Sequence, residues 1–231
     1  MDGSLDVSAK VFCIFFKGTD HEIWLTQTVV TTWVIMAVII FVAFLARLQL
    51  KKFTEKPETT SQNLIEMIIG GMDSFVTGTM GEKYDYYGNW FFGVFVFILV
   101  SNLSGLLGFR PPTADLATTA CLGFATFLLI HISGIIFQKG NYFKGYLEPI
   151  PIMLPMNIIS ELATPISLSF RLFGNILGGS IIMSMVYWST IYVNFFIPGV
   201  LHIYFDVFAG CIQTVIFVML SMTFIKDKMG D

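Results

Sequence analysis

Charge is what this chain has least of. Only 13% of its 231 residues are Asp, Glu, Lys or Arg, and 55% are hydrophobic, against about 25% and about 45–50% in ordinary soluble domains. Thirteen basic and sixteen acidic side chains cannot cover the surface of a water-soluble fold of this size, and the mean hydropathy of +0.75 agrees. A net charge of −3, with no clustering of basic and aromatic residues, excludes a nucleic-acid partner. Cysteine is scarce too. Cys13, Cys121 and Cys211 are odd in number and far apart, which points to neither a disulfide framework nor a metal site, and no cofactor motif or P-loop is present. A secretory leader is not expected, because Asp2, Asp6 and Lys10 fall where a basic, then apolar, n- and h-region belongs.

Long runs without charge fill the space that remains. Ile23–Ala46, Tyr86–Phe109, Leu116–Gln138, Leu172–Phe205 and Val207–Ile225 hold no Asp, Glu, Lys or Arg. A helix of about 20 apolar residues crosses a bilayer core about 30 Å thick, and a backbone in hydrocarbon satisfies its hydrogen bonds most simply as helix. The expectation is a single all-α integral membrane domain over 1–231. Its five spans are placed near 23–47, 86–109, 116–138, 156–187 and 193–225. Between the first two spans, Leu64, Ile68, Met72, Phe75 and Val76 recur at helical spacing with Glu66 and Asp73 among them. This pattern predicts an interfacial amphipathic helix over about 61–83, although a plain connector fits equally well. The proline-rich EPIPIMLP, Glu148–Pro155, reads as a loop feeding the fourth span.

Orientation follows from the basic residues. Arg47, Lys51, Lys52 and Lys56 follow the first span closely, a cytoplasmic signature. Five spans then place nine basic residues inside, three outside and one within the membrane, with the N-terminus outside and the C-terminus in the cytoplasm.

Against that background three ionisable residues stand out: Glu161, Arg171 and Asp206 lie within or beside the last two spans. A charge near the bilayer centre costs roughly 2.5–3.5 kcal/mol on insertion scales, and such residues usually mark ion pathways. Helical spacing sets Ser167, Arg171, Asn175 and Gly178 on one face of the fourth span, and His202, Asp206, Gly210 and Gln213 on one face of the fifth. Each has a plainer reading. Arg171 can be a structural cation, Gly174 and Gly178 can be packing positions within the chain, and Asp206 and His202 can be interfacial. Glu161 can be a first-turn residue favouring its helix N-terminus.

The segment PISLSFRLFGNILGG, Pro165–Gly179, closely resembles the signature of subunit a of the rotary F-type ATP synthases. The likeness continues in SNLSGLLG (Ser101–Gly108), RPPTADLATT (Arg110–Thr119) and GCIQTVIFVMLSMTF (Gly210–Phe224). The resemblance implies a stator in the bacterial plasma membrane that works against a c-ring, held by the b subunits of the peripheral stalk. It also implies that Arg171 and Gln213 face the ring carboxylates, between two offset half-channels, and that the chain carries no catalytic site of its own. Two departures bear on the path. Where many members carry an acid or histidine nine residues after the Arg, Ser180 stands here; seven residues before the Gln, where a histidine is common, stands Asp206. Antiparallel helices bring Ser180 and Asp206 to similar depth, so the outer half-channel is expected to keep one carboxylate on the last helix, with Asn175 and Ser180 holding water and His202 nearer the mouth. On the inner side Glu161 lies ten residues, about 15 Å, before Arg171, with Ser167 between. An uncoupled channel, a secondary transporter or an assembly scaffold are the competing readings; no pseudo-repeat between halves supports a transporter.

Overall fold

The computed structural model describes residues 11–15, 23–50, 60–147, 151–189 and 196–230. It opens on a short antiparallel hairpin, β1 (Val11–Phe15) and β2 (Ile23–Thr26), and the rest is helical. Helices α1 (Gln27–Leu50), α2 (Thr60–Met80), α3 (Gly88–Leu103), α4 (Leu116–Gln138), α5 (Gly140–Gly145) and α6 (Leu154–Ser189) follow. The last is a long broken helix: α7 (Phe196–His202), a π-helical stretch Ile203–Ala209, and α8 (Gly210–Met229). Five of these segments are long and apolar enough to cross a membrane.

The membrane part is all-helical, as the charge-free runs predict, with local differences. The first span begins at Gln27, because Ile23–Thr26 pairs with β1 instead of joining the helix; Ile, Trp, Leu and Thr are residues that fit a pleated ladder. The fourth span begins at Leu154 and takes Pro155 into its first turn, where a missing N–H costs nothing. The basic loop bearing Lys51, Lys52 and Lys56, residues 148–150, and the expected start of the fifth span at 193–195 lie outside the described residues.

The core is drawn from α2, α3, α4, α6 and α8 and from the 3₁₀ segment Glu82–Tyr87: Val76, Met80, Tyr84, Phe91, Ile98, Ile130, Leu168, Leu172, Phe217 and Val218 are among its buried members. Helix α1 stands apart and buries only Thr28, Thr31 and Ile35. In α2 the buried apolar residues all lie in the second half, with Gln62 the one buried residue of the first half. Met72, Val76 and Met80 are buried, whereas Leu64 and Ile68 of the expected apolar face stay exposed with Met67 and Ile69.

Polar residues fix how the helices meet. Gly108 ends the turn after α3 at φ 76°, a left-handed conformation that suits glycine. Asp115 then caps α4 by accepting the Ala117 N–H at 3.0 Å, and accepts the Thr28 hydroxyl of α1 at 3.0 Å. Asn102 donates to Gly210 O at 3.0 Å and accepts from Thr113 Oγ1 at 2.8 Å. The motif residues Asn102 and Thr113 thus brace the junction between the π stretch and α8. Helices α4 and α6 touch closely at Gly123, where an added Cβ would lie 2.3 Å from Ser169 Oγ and 2.8 Å from Pro165 O.

Candidate functional site

Helix α6 has 36 residues and is therefore about 54 Å long, well beyond the hydrocarbon thickness. Its polar positions spread along that length into three regions. Arg171 is central, and its side chain is exposed. Among the described residues it makes no ion pair and no side-chain hydrogen bond. Ser167, one turn earlier, is exposed on the same side, and so are the large apolar residues Ile166 and Phe170. Gly174 and Gly178 have no atom within 4 Å of an added Cβ, so neither serves close packing among the described residues. Opposite, on α8, Gln213 is 7% exposed. Its Nε2, like Asn175 Nδ2, is buried without a hydrogen-bond partner among the described residues. Buried amide donors are nearly always satisfied, so both are available to water, to an ion or to a partner's carboxylate.

Toward the C-terminal end of α6 a cavity of about 330 Å³ opens, lined by Asn175, Gly179, Ser180, His202, Asp206 and Arg110 among others. Ser180 and Asp206 both line this one space. The geometry on the last helix is not that of a regular helix face. A π stretch over Ile203–Ala209 inserts extra backbone there, a feature common at functional sites. Here His202 and Asp206 share the cavity with α6 residues, while Gly210 faces Asn102 of α3. The expected single stripe of His202, Asp206, Gly210 and Gln213 is thus divided between two neighbours. His202 Nδ1 is 2.6 Å from Asp206 Oδ2, and His202 Nε2 is 2.8 Å from the Tyr187 hydroxyl. Asp206 fits against Gly105, whose added Cβ would meet the carboxylate at 3.4 Å.

At the other end lies a second cavity of about 320 Å³, lined by Asn157, Ser160, Glu161, Tyr142, Tyr146 and Lys228 among others. Glu161 sits two turns into α6, not in its first turn, so its place is not explained by the helix N-terminus. It forms an ion pair with Lys228. The Lys228 ammonium also lies 5.1 Å above the Tyr146 ring and 5.9 Å above the Tyr142 ring. The two tyrosine hydroxyls are 2.7 Å apart, and Asn157 Nδ2 donates to Tyr146 O at 2.9 Å. Burial first, then the Tyr142 bond and the Glu161 charge, push the Tyr146 phenol above its ordinary value, so it stays protonated.

The arrangement is an exposed central cation between two polar cavities at opposite ends of one helix. Residues 29–226 match the family model described as ATP synthase A chain. The chain is 33% identical over 223 residues to the sodium-ion-specific ATP synthase subunit a of Propionigenium modestum, covering 89% of this chain and 75% of that one. It is 37% identical to ATP synthase subunit a 2 of Syntrophotalea carbinolica, over 89% and 86% of the two chains. With ATP synthase subunit a of Geobacter sulfurreducens it shares 35% identity over 97% and 99%. The chain belongs to the ATP synthase subunit a family. As a subunit a it is an ion-translocating stator component of the ATP synthase membrane sector, multi-pass in a bacterial inner membrane.

Sequence reasoning missed several residues of this subunit a that the cavities contain. Lys228 counted only as a basic residue at the inner end of the fifth span and Arg110 only as an outer basic residue, and Tyr146 was not singled out. Beside the outer cavity, Tyr187 carried no signal at all, because its bond to His202 joins two different helices and no single-helix spacing gives it.

Proposed function

We propose that this subunit carries ions to and from the carboxylates of a c-ring through two offset half-channels, with Arg171 as the barrier between them. The carrying observation is an Arg171 exposed on α6 without an acidic partner among the described residues. A lone guanidinium in a membrane is costly, stays charged at any working pH, and calls for a carboxylate on a neighbouring chain. Ile166 and Phe170 of α6 and Ile212 and Met219 of α8 are exposed, and with Gly174 and Gly178 open on α6 they offer an apolar wall for that chain.

The cavity at Asp206 is the outer half-channel and the cavity at Glu161 the inner one, with the N-terminus outside and the C-terminus cytoplasmic. A ring carboxylate loses its ion on one side, passes Arg171 as an anion, and reloads on the other. Because a charged carboxylate cannot enter lipid while a neutralised one can, ion flow forces rotation, driven by about 2.3 kcal/mol per charge per 100 mV. Asn175, Ser180 and Gln213 supply hydrogen bonds along the way, His202 stands toward the outer mouth, and Ser167 lies between Arg171 and the inner cavity. The b subunits of the peripheral stalk hold this stator against the turning ring.

The test uses the assembled complex in vesicles. Arg171→Ala is expected to abolish coupled ATP synthesis and raise passive ion leak, and Asp206→Asn to lower synthesis at least ten-fold while the complex still assembles. Full coupling in the Arg171 variant, or normal synthesis in the Asp206 variant, overturns the corresponding part. A channel acting alone would instead conduct from this subunit without the ring.

A further inference from the structure

His202 and Asp206 line the outer cavity, and from them a hydrogen-bonded chain continues to Tyr187, which belongs to no part of the path described above. Its hydroxyl is 2.8 Å from His202 Nε2, and His202 Nδ1 is 2.6 Å from Asp206 Oδ2. The roles of these atoms follow from elementary chemistry. An ionised Asp206 only accepts, so the Nδ1 facing it carries the imidazole proton. A neutral imidazole then has a lone pair on Nε2, and the Tyr187 O–H donates to it. The three groups come from two separate elements: Tyr187 from the C-terminal end of α6, His202 and Asp206 from the last helix.

Depth orders them. Tyr187 lies seven residues beyond Ser180 on α6, about 10 Å by helix rise, and His202 precedes Asp206 by one turn. The exposed tyrosine is therefore the end nearest bulk water, the histidine side chain is 35% exposed, and the carboxylate is 21% exposed. The other charged or titratable group lining this cavity is Arg110, which is permanently cationic and takes no part in a proton relay.

The geometry points to Tyr187–His202–Asp206 as an ordered proton relay that loads the outer half-channel, with Tyr187 as its entry residue; this rests on the outer path proposed above. In one passage the Tyr187 hydroxyl proton moves to His202 Nε2, the Nδ1 proton moves to Asp206 Oδ2, and the tyrosine oxygen takes a proton from water. One proton is gained by Asp206 and one is lost by the outer solution, and no net charge is left on Tyr187 or His202. Asp206 then passes its proton inward along Ser180 and Asn175. Resetting requires the imidazole to exchange its tautomer through water, which its partial exposure permits. Such a chain transmits protons and not metal cations.

The measurement is proton-driven ATP synthesis by the whole complex in proteoliposomes, at a fixed membrane potential, with the pH on the outer side varied. The variant-to-wild-type rate ratio is read at each pH. Tyr187→Phe, which keeps the ring and removes the hydroxyl, is expected to reduce the rate about five-fold at low outer proton concentration, the scale of one lost hydrogen bond. The ratio returns toward one at high proton concentration, where loading saturates. His202→Gln shows the same pattern, and the double variant is no worse than His202→Gln alone. A Tyr187→Phe ratio that stays at one, or that is low and equal at every outer pH as for a structural defect, overturns the relay. Asp206→Asn separates the two levels. If it keeps normal synthesis, the outer path itself is wrong; if it fails while Tyr187→Phe is silent, the path stands and the relay is wrong.

Discussion

At the scale of single residues, the instructive contrast is between the two intramembrane charges of α6. Glu161 is paired within the chain to Lys228, whereas Arg171 is not paired with any described residue. A pair with 18% and 30% exposed side chains is neither a surface bridge of negligible worth nor a fully dry one. Losing one member strands the other. Lys228→Gln is therefore expected to lower the stability of the subunit by about 1–2 kcal/mol, seen as a lower unfolding temperature of the purified complex. Adding Glu161→Gln recovers part of that loss, because the stranded carboxylate is gone. The function separates from the stability in the same experiment. If Glu161 is the acid of the inner path, the double variant regains thermal stability but not ATP-driven pumping, and a double variant that pumps normally removes Glu161 from the path. Spacing alone singled out Glu161 and Arg171 in the sequence because each interrupts or borders an apolar run. It did not single out Lys228, since a lysine near a cytoplasmic helix end is ordinary and its partner lies 67 positions away on another helix.

At the scale of elements, the glycines divide by what they touch. Gly123 is a contact glycine: an added Cβ meets Pro165 O, a backbone atom, at 2.8 Å, so α4 and α6 must separate to admit it. Gly123→Ala is expected to cost about 1–3 kcal/mol through overpacking and to displace Arg171, which lies two residues beyond Ser169 on α6. Gly178, with nothing within 4 Å, behaves oppositely. Gly178→Leu leaves the thermal stability of the isolated subunit within about 0.5 kcal/mol yet weakens its association with the ring, read as the fraction of ring co-purified with the subunit. Equal loss of stability in the two variants would refute the division. In the sequence the two glycines look alike, since each is simply small within an apolar run. The helices themselves were legible from charge-free length, including the start of α4 at Leu116. The π stretch over Ile203–Ala209 was not. Its extra backbone depends on Asn102 holding Gly210 O from α3, a contact across 108 positions that no local pattern encodes.

At the scale of the whole molecule, the two ends of the bundle carry different chemistry. One end gathers the termini of α4, α5 and α8 with the start of α6: Lys228 reaches Glu161 and the Tyr142 and Tyr146 rings, and Lys226 Nζ donates to Thr79 O of α2 at 3.1 Å. The other end holds Arg110, Asp115, Thr28, Tyr187 and His202. Each cavity reaches only one end, and about 15 Å of helix separates Glu161 from Arg171, with a similar rise from Arg171 to Ser180. On the function proposed above, this chain alone supplies two blind inlets, and an ion crosses only if a second body carries it past Arg171. Which inlet faces which compartment is decided by orientation, and the proposal above puts the lysine-rich end in the cytoplasm, following the positive-inside rule. Single cysteines on a background with Cys13, Cys121 and Cys211 replaced test this directly. In right-side-out vesicles a membrane-impermeant thiol reagent should label Ser4→Cys and not Gly230→Cys, and inversion of the vesicles should exchange the two. Labelling of position 230 from outside would exchange the inlets, make Glu161 the loading acid in place of Asp206, and reverse the direction in which the Tyr187 hydroxyl passes its proton.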